Sequence, residues 1–200
     1  EFTYRSDGLL TSIIDGQGTT RFAYDSANRL QKITYPNQRF ISYSYDSNGR
    51  RSRLTTQSGH QVNYAYDTNG RLAKLTDQTG SLQVAYTYDA EGRVSKETNG
   101  NGTYTNYTYD LAGQLASITN YSPSGAVNSF ANYTYDALGR QSGVTTADGS
   151  WSYQYDVTGQ LTKAVKDYTD TTLIDLELHY NYDPAGNRTS AVANGSLTNY

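Results

Sequence analysis

The chain has 200 residues, a net charge of −3, 36% hydrophobic and 18% charged residues, 21 tyrosines and no cysteine. The missing cysteine excludes disulfides and thiolate metal sites, and the near-neutral balance argues against a clustered basic surface for nucleic acid. No apolar run approaches the roughly 18 residues of a membrane-spanning helix. Aliphatic residues are sparse, so a folded state must draw its apolar area from tyrosine rings, each burying about 150–250 Å². Low charge with many aromatics argues against disorder.

One string recurs along the chain: aromatic, any residue, Tyr, Asp, two turn residues, Gly, Arg, Leu. The first copy, Phe2-Thr3-Tyr4-Arg5-Ser6-Asp7-Gly8-Leu9, is degenerate, with Arg5 in the aspartate place and a turn expected to be one residue short. The second runs Phe22-Ala23-Tyr24-Asp25, with Asn28 where later copies carry glycine. Asn is the residue after Gly best suited to positive φ. The third is Tyr43, Tyr45, Asp46, Gly49 and Arg50; the fourth is Tyr64, Tyr66, Asp67, Gly70 and Arg71; the fifth is Tyr86, Tyr88, Asp89, Gly92 and Arg93. The sixth, Tyr107, Tyr109, Asp110 and Gly113, has Gln114 in place of arginine. The seventh is Tyr133, Tyr135, Asp136, Gly139 and Arg140. The eighth, Tyr153, Tyr155, Asp156 and Gly159, again has glutamine, and the ninth is Tyr180, Tyr182, Asp183 and Gly186.

The fourth copy, Tyr64 to Thr76, shows the expected unit. Tyr64 and Tyr66 share one face of a strand. Asp67-Thr68-Asn69-Gly70 is a type I turn followed by glycine in the left-handed position of a G1 bulge. Counting outward places Tyr66 opposite Leu72, Ala65 opposite Ala73 and Tyr64 opposite Lys74. One face then holds Tyr64, Tyr66, Leu72 and the lysine stem; the other holds the Asp67–Arg71 pair, small residues and Leu75. A cross-strand pair contributes about 0.2–1 kcal/mol, so stability has to come from repetition.

From Asp25 onward successive aspartates are 21, 21, 22, 21, 26, 20 and 27 residues apart. About 21 residues hold two strands and two turns. The second turn reads in Pro36-Asn37, Gln57-Ser58-Gly59, Asp77 to Gly80, Asn99 to Gly102 and Asp148-Gly149. The two long spacings carry insertions around Tyr121 to Gly125 and Lys166 to Leu178, expected as longer hairpin tips or loops. No segment has helical periodicity. The expected fold is all-β: over residues 1–200, about nine repeats form an antiparallel β-hairpin meander of about eighteen strands. Twist should coil it into a curved strip or partial β-shell. The array reads as a fragment of a longer protein.

Candidate chemistry is thin, and no catalytic, metal or cofactor-binding residue is assigned. His60 and His179 lack metal spacing and read as surface residues. The repeated aspartates are explained by their turns rather than by calcium. Asp167, Asp170, Asp175 and Glu177 form an acidic cluster expected in a solvated loop. Trp151 follows the Asp148-Gly149 turn; it is either a filler between strands or, exposed beside tyrosines, a stacking surface for a sugar ring.

The string Y-x-Y-D-x-x-G-R-L at this period resembles the YD repeat of the RHS family over essentially the whole chain. That resemblance implies a hollow β-shell. In bacterial RHS and Tc-type toxins such a shell encloses a toxic polypeptide, and in teneurins a related shell belongs to a cell-surface receptor. It therefore implies a non-enzymatic structural module of a secreted or cell-surface protein, bacterial in origin. Its partners would be an encapsulated polypeptide or neighbouring repeats, with carbohydrate as an alternative ligand and self-association through edge strands. Asp183-Pro184-Ala185-Gly186 resembles the opening of the family's self-cleaving core, but Asn187 stands where that signature has leucine.

Overall fold

The computed structural model describes residues 1–199, and the side chains of 1–198. The described residues form nineteen strands and no helix. They divide into two compact units, Glu1–Thr87 with Thr98–Asn101, and Tyr88–Glu97 with the residues from Gly102 onward.

In the first unit β1 (Phe2–Tyr4), β2 (Leu10–Asp15), β3 (Gly18–Tyr24), β4 (Leu30–Thr34) and β5 (Phe40–Tyr45) follow one another. They continue into β6 (Arg51–Thr56), β7 (Gln61–Tyr66), β8 (Leu72–Thr76) and β9 (Leu82–Tyr88). Each strand pairs antiparallel with the next. The second unit takes in the start of β10 (Val94–Asn99) and then β11 (Tyr104–Tyr109), β12 (Leu115–Tyr121), β13 (Val127–Tyr135) and β14 (Gln141–Thr146). It goes on through β15 (Gly149–Tyr155), β16 (Leu161–Tyr168), β17 (Leu176–Tyr182), β18 (Arg188–Ala193) and β19 (Ser196–Asn199). From β11 these too pair in sequence order. The expected antiparallel hairpin meander is the observed fold.

The turn of each copy closes with two main-chain bonds. In the fourth copy Gly70 N donates to Asp67 O at 3.0 Å and Asp67 N to Arg71 O at 2.9 Å. Gly70 has φ 81°, and Asn28 takes its place in the second copy with φ 60°. The degenerate first turn is not short: Gly8 N donates to Arg5 O and Arg5 N to Leu9 O, the same pattern. What that copy lacks is arginine, because Leu9 occupies its position.

The register beyond the turn differs from the counted one. Tyr66 lies opposite Leu72, but Ala65 is opposite Lys74 and Tyr64 opposite Leu75, with Ala73 unmatched. A second β-bulge therefore follows the turn. Because side chains alternate with period two, one extra residue moves everything beyond it to the other face. Leu72 and Leu75, three apart, then share the tyrosine face, and Lys74 joins Ala65 on the other.

The same bulge recurs one position after the Leu place, setting Tyr43 opposite Leu54, Tyr107 opposite Ile118 and Tyr133 opposite Val144. Aromatic–aliphatic rungs are thereby built along the hairpins. The rungs are half-buried. Among the described residues the one buried hydrophobic side chain is Ala164, at 3% exposure. Such a structure is held by neighbour-to-neighbour contacts rather than by a central core.

Of the insertions, Ser122 to Ala126 is a tight turn of the same type with Ser122 in the aspartate place, on strands that are lengthened. The other is a loop over 169–175 between β16 and β17.

Candidate functional site

The repeated turn is the structural unit from which any working surface is made. In the third copy Asp46 Oδ1 accepts from the main-chain N–H of Asn48 at 3.0 Å and of Arg50 at 2.9 Å, and Oδ2 accepts from Arg50 Nε at 2.8 Å. The second, fourth and seventh copies repeat all three bonds. In the fifth, Asp89 accepts from the main-chain N–H and Nε of Arg93 at 2.8 and 2.7 Å.

These donors favour the ionised carboxylate and hold it below the ordinary range. For Asp25 and Asp136 the main-chain N–H of Arg29 and Arg140 is the largest cause. For Asp46, Asp67 and Asp89 partial desolvation is larger and opposes the shift, but the arginine's main-chain N–H and guanidinium together outweigh it. Asp7, gripped by the Arg5 guanidinium, is lowered to about 2.

Four of the arginines also reach forward. The Arg50 guanidinium lies 4.2 Å above the Tyr66 ring, Arg29 4.4 Å above Tyr45, Arg93 4.3 Å above Tyr109 and Arg140 4.7 Å above Tyr155. The same tyrosine reaches back. Tyr66 Oη donates to Arg51 O at 2.7 Å, Tyr45 to Leu30 O at 2.6 Å and Tyr24 to Leu10 O at 2.8 Å. In the second unit Tyr109, Tyr135, Tyr155 and Tyr182 bond Val94, Leu115, Gln141 and Leu161 in the same way. The accepting carbonyl always belongs to the residue after the arginine place of the preceding copy. In the sixth copy, where Gln114 replaces arginine, the link changes but survives: Gln114 Nε2 donates to Gly139 O at 2.9 Å. These forward and backward links carry no periodic signature of their own, so counting residues missed them; the constant identity of Tyr and Arg was their only trace.

Trp151 is half-buried on β15 between Val144 and Lys166. Its ring runs parallel to that of Tyr153, with 5° between planes and 6.2 Å between centroids. Lys166, at 4% exposure, sits beside Trp151 and Tyr168 with its ammonium 3.2 Å from Asp148 Oδ2. A buried lysine within an alternating strand gave no signal in the sequence. Tyr104 and Tyr121 stack across β11 and β12 at 4.6 Å.

The acidic cluster is not one loop. Asp167 is the next-to-last residue of β16, Glu177 the second of β17, and only Asp170 and Asp175 lie between the strands. Asp170 caps its own turn, Asp175 accepts from Tyr168 N, and Glu177 pairs with Lys163 and with His179, each at 2.6 Å. His60 lies in an exposed connecting turn. No group of three or more His, Cys, Asp or Glu poised to hold a metal ion occurs among the described residues.

A repeated Tyr-Asp turn, a hairpin for each copy, and aromatic rungs linked from copy to copy define a YD-repeat protein. The profile of the teneurin YD-shell family matches residues 1–81 and 56–198, and the chain belongs to that family. Among solved structures it is similar to TcdB2-TccC3, with 18% identity over 100% of this chain and a TM-score of 0.80. It is also similar to the Photorhabdus luminescens Tc holotoxin pore, with 19% identity over 100% of this chain and a TM-score of 0.79. The chain spans 13% of the length of each of those structures. At such identities the likeness establishes the fold. No curated protein matches the chain in sequence.

Proposed function

We propose that this chain is a structural wall segment of a β-shell that encloses a polypeptide cargo in a secreted or surface-associated bacterial protein. The observation that supports it best is the copy-to-copy bonding. The Asp–Arg turn, the arginine over the next tyrosine and the tyrosine hydroxyl on the preceding carbonyl form a link that adds copies without limit. A wall needs that property, and an active site does not. The family membership and the likeness to Tc toxin structures point the same way. The role is passive: the wall keeps an enclosed chain from water, protease and premature folding, with no reaction of its own. Neighbouring repeats of a longer array are its nearest partners, and the array of about nine copies is one piece of that longer wall.

The test is protease protection in the full-length protein that carries this segment. A cargo polypeptide should survive intact while the wall is closed, and become sensitive when substitutions such as Gly70→Val open the wall. Equal cleavage before and after opening, or density for this segment away from any enclosed chain, would overturn the reading.

A second reading, binding of carbohydrate at the cell surface, draws on the parallel rings of Trp151 and Tyr153. Tryptophan fluorescence during titration with a panel of oligosaccharides decides it; an unchanged spectrum for every sugar removes it. The exposed edge strand β1, with Phe2 at 61% and Tyr4 at 59% exposure, favours self-association of the isolated chain. Light scattering showing a monomer at high concentration would contradict that.

A further inference from the structure

The connecting turns of the first unit form an open groove of about 940 Å³. It lies among the β2–β3, β4–β5 and β6–β7 turns, away from the Tyr-Asp turns, and nothing in the wall reading uses it. Tyr35, Pro36 and Phe40 supply apolar lining, Arg39 and Gln57 contribute polar groups, and no lining residue is acidic.

Its walls are fixed. Tyr35 N donates to Arg39 O at 2.8 Å and Gln38 N to Tyr35 O at 2.9 Å, with Gln38 held at φ 65°. Gln57 N donates to Phe40 O at 3.1 Å, tying the neighbouring turn to the strand. An added Cβ on Gly18 would come within 2.8 Å of the Pro36 Cβ, so the first turn is seated directly against the second.

The charge is one-sided. The arginines of the Tyr-Asp turns are neutralised by their own aspartates. Arg39 has no carboxylate partner among the described residues, and its main-chain N–H is held by Asn37. Lys32 is outside the lining but lies on the Phe40 ring, 4.1 Å from its centroid. A groove within the size range of small-molecule sites, with aromatic lining, one arginine and no acid in its lining, selects its ligand by chemistry.

We propose that this groove binds a small amphipathic organic anion, its apolar body against Tyr35, Pro36 and Phe40 and its carboxylate on Arg39. The inference is independent of the wall function, since it uses none of the copy-to-copy links.

The test compares 3-phenylpropionate with its neutral isostere 3-phenylpropionamide by NMR titration of the intact 200-residue chain. The carboxylate should shift the amides of Tyr35, Phe40 and Gln57 and bind at least about 5-fold more tightly than the amide. Arg39→Gln, a substitution at an exposed side chain, should reduce that ratio to near 1, while Lys74→Gln should leave it unchanged. Equal binding of the two probes, shifts scattered outside the groove, no binding at all, or a preference that survives Arg39→Gln would each overturn the proposal.

Discussion

The Tyr66 hydroxyl donates to the main-chain carbonyl of Arg51, 2.7 Å away and fifteen residues earlier. That bond joins one hairpin to the one before it, and the Arg50 guanidinium covers the same ring from above. Removing it leaves the Arg51 carbonyl without that donor. A neutral hydrogen bond contributes about 0.5–1.5 kcal/mol net. Tyr66→Phe should therefore lower stability by about 1 kcal/mol in urea unfolding followed by circular dichroism. Tyr4→Phe, at an exposed ring, should change it by less than about 0.5 kcal/mol.

The Gly70 turn separates conformation from composition. At φ 81° any β-carbon is strained, and one added here would also lie 3.3 Å from Arg50 Nη1. Left-handed backbone costs ordinary residues about 1–2 kcal/mol, and more for a β-branched one. Gly70→Val should lower the denaturation midpoint well below that of Thr68→Val. Gly70→Asn should fall between them, since Asn28 already tolerates φ 60° in the equivalent turn. Equal midpoints for the two valine variants would contradict the turn geometry.

Ala73 has no cross-strand partner, and the pairing on either side of it is continuous without it. Deleting it should close the bulge and leave Lys74 opposite Ala65 and Leu75 opposite Tyr64. The loss should stay below that of Leu75→Ala, which is about 1–3 kcal/mol on the scale of a buried aliphatic side chain. Calorimetry of the two variants checks this. A deletion as damaging as Leu75→Ala would mean that the strand needs the bulge itself.

Acid should weaken the array from the turns outward. The native carboxyls of Asp25, Asp46, Asp67, Asp89 and Asp136 titrate below their unfolded value near 3.8. Between the two values the unfolded chain binds more protons, so stability rises with pH across that window. The contribution is fully present above about pH 4 and is lost as pH falls through the native values. Asp25→Asn with Asp136→Asn should flatten the acid limb of a melting-temperature profile measured from pH 2 to 6; an unchanged slope would mean that these turns do not carry it.

Much of this was legible in the sequence because it is local. The type I turn with glycine at the left-handed position follows from Asp67 and Gly70 alone, since backbone sterics leave few alternatives. The pairing of Tyr66 with Leu72 follows from that turn. What failed were inferences that crossed the second bulge. Counting from the turn placed Lys74 opposite Tyr64, whereas Ala73 is looped out and Leu75 takes that place.

By itself the sequence determined the hairpin, its tip and its repetition, because φ preferences and period-two alternation act within a few residues. Only the tertiary structure decided how one copy grips the next. Whether Arg50 lies on Tyr66, and whether Tyr66 finds the carbonyl of Arg51, depends on strands brought together from different hairpins. Local preference has no term for the distance between groups that only packing makes neighbours.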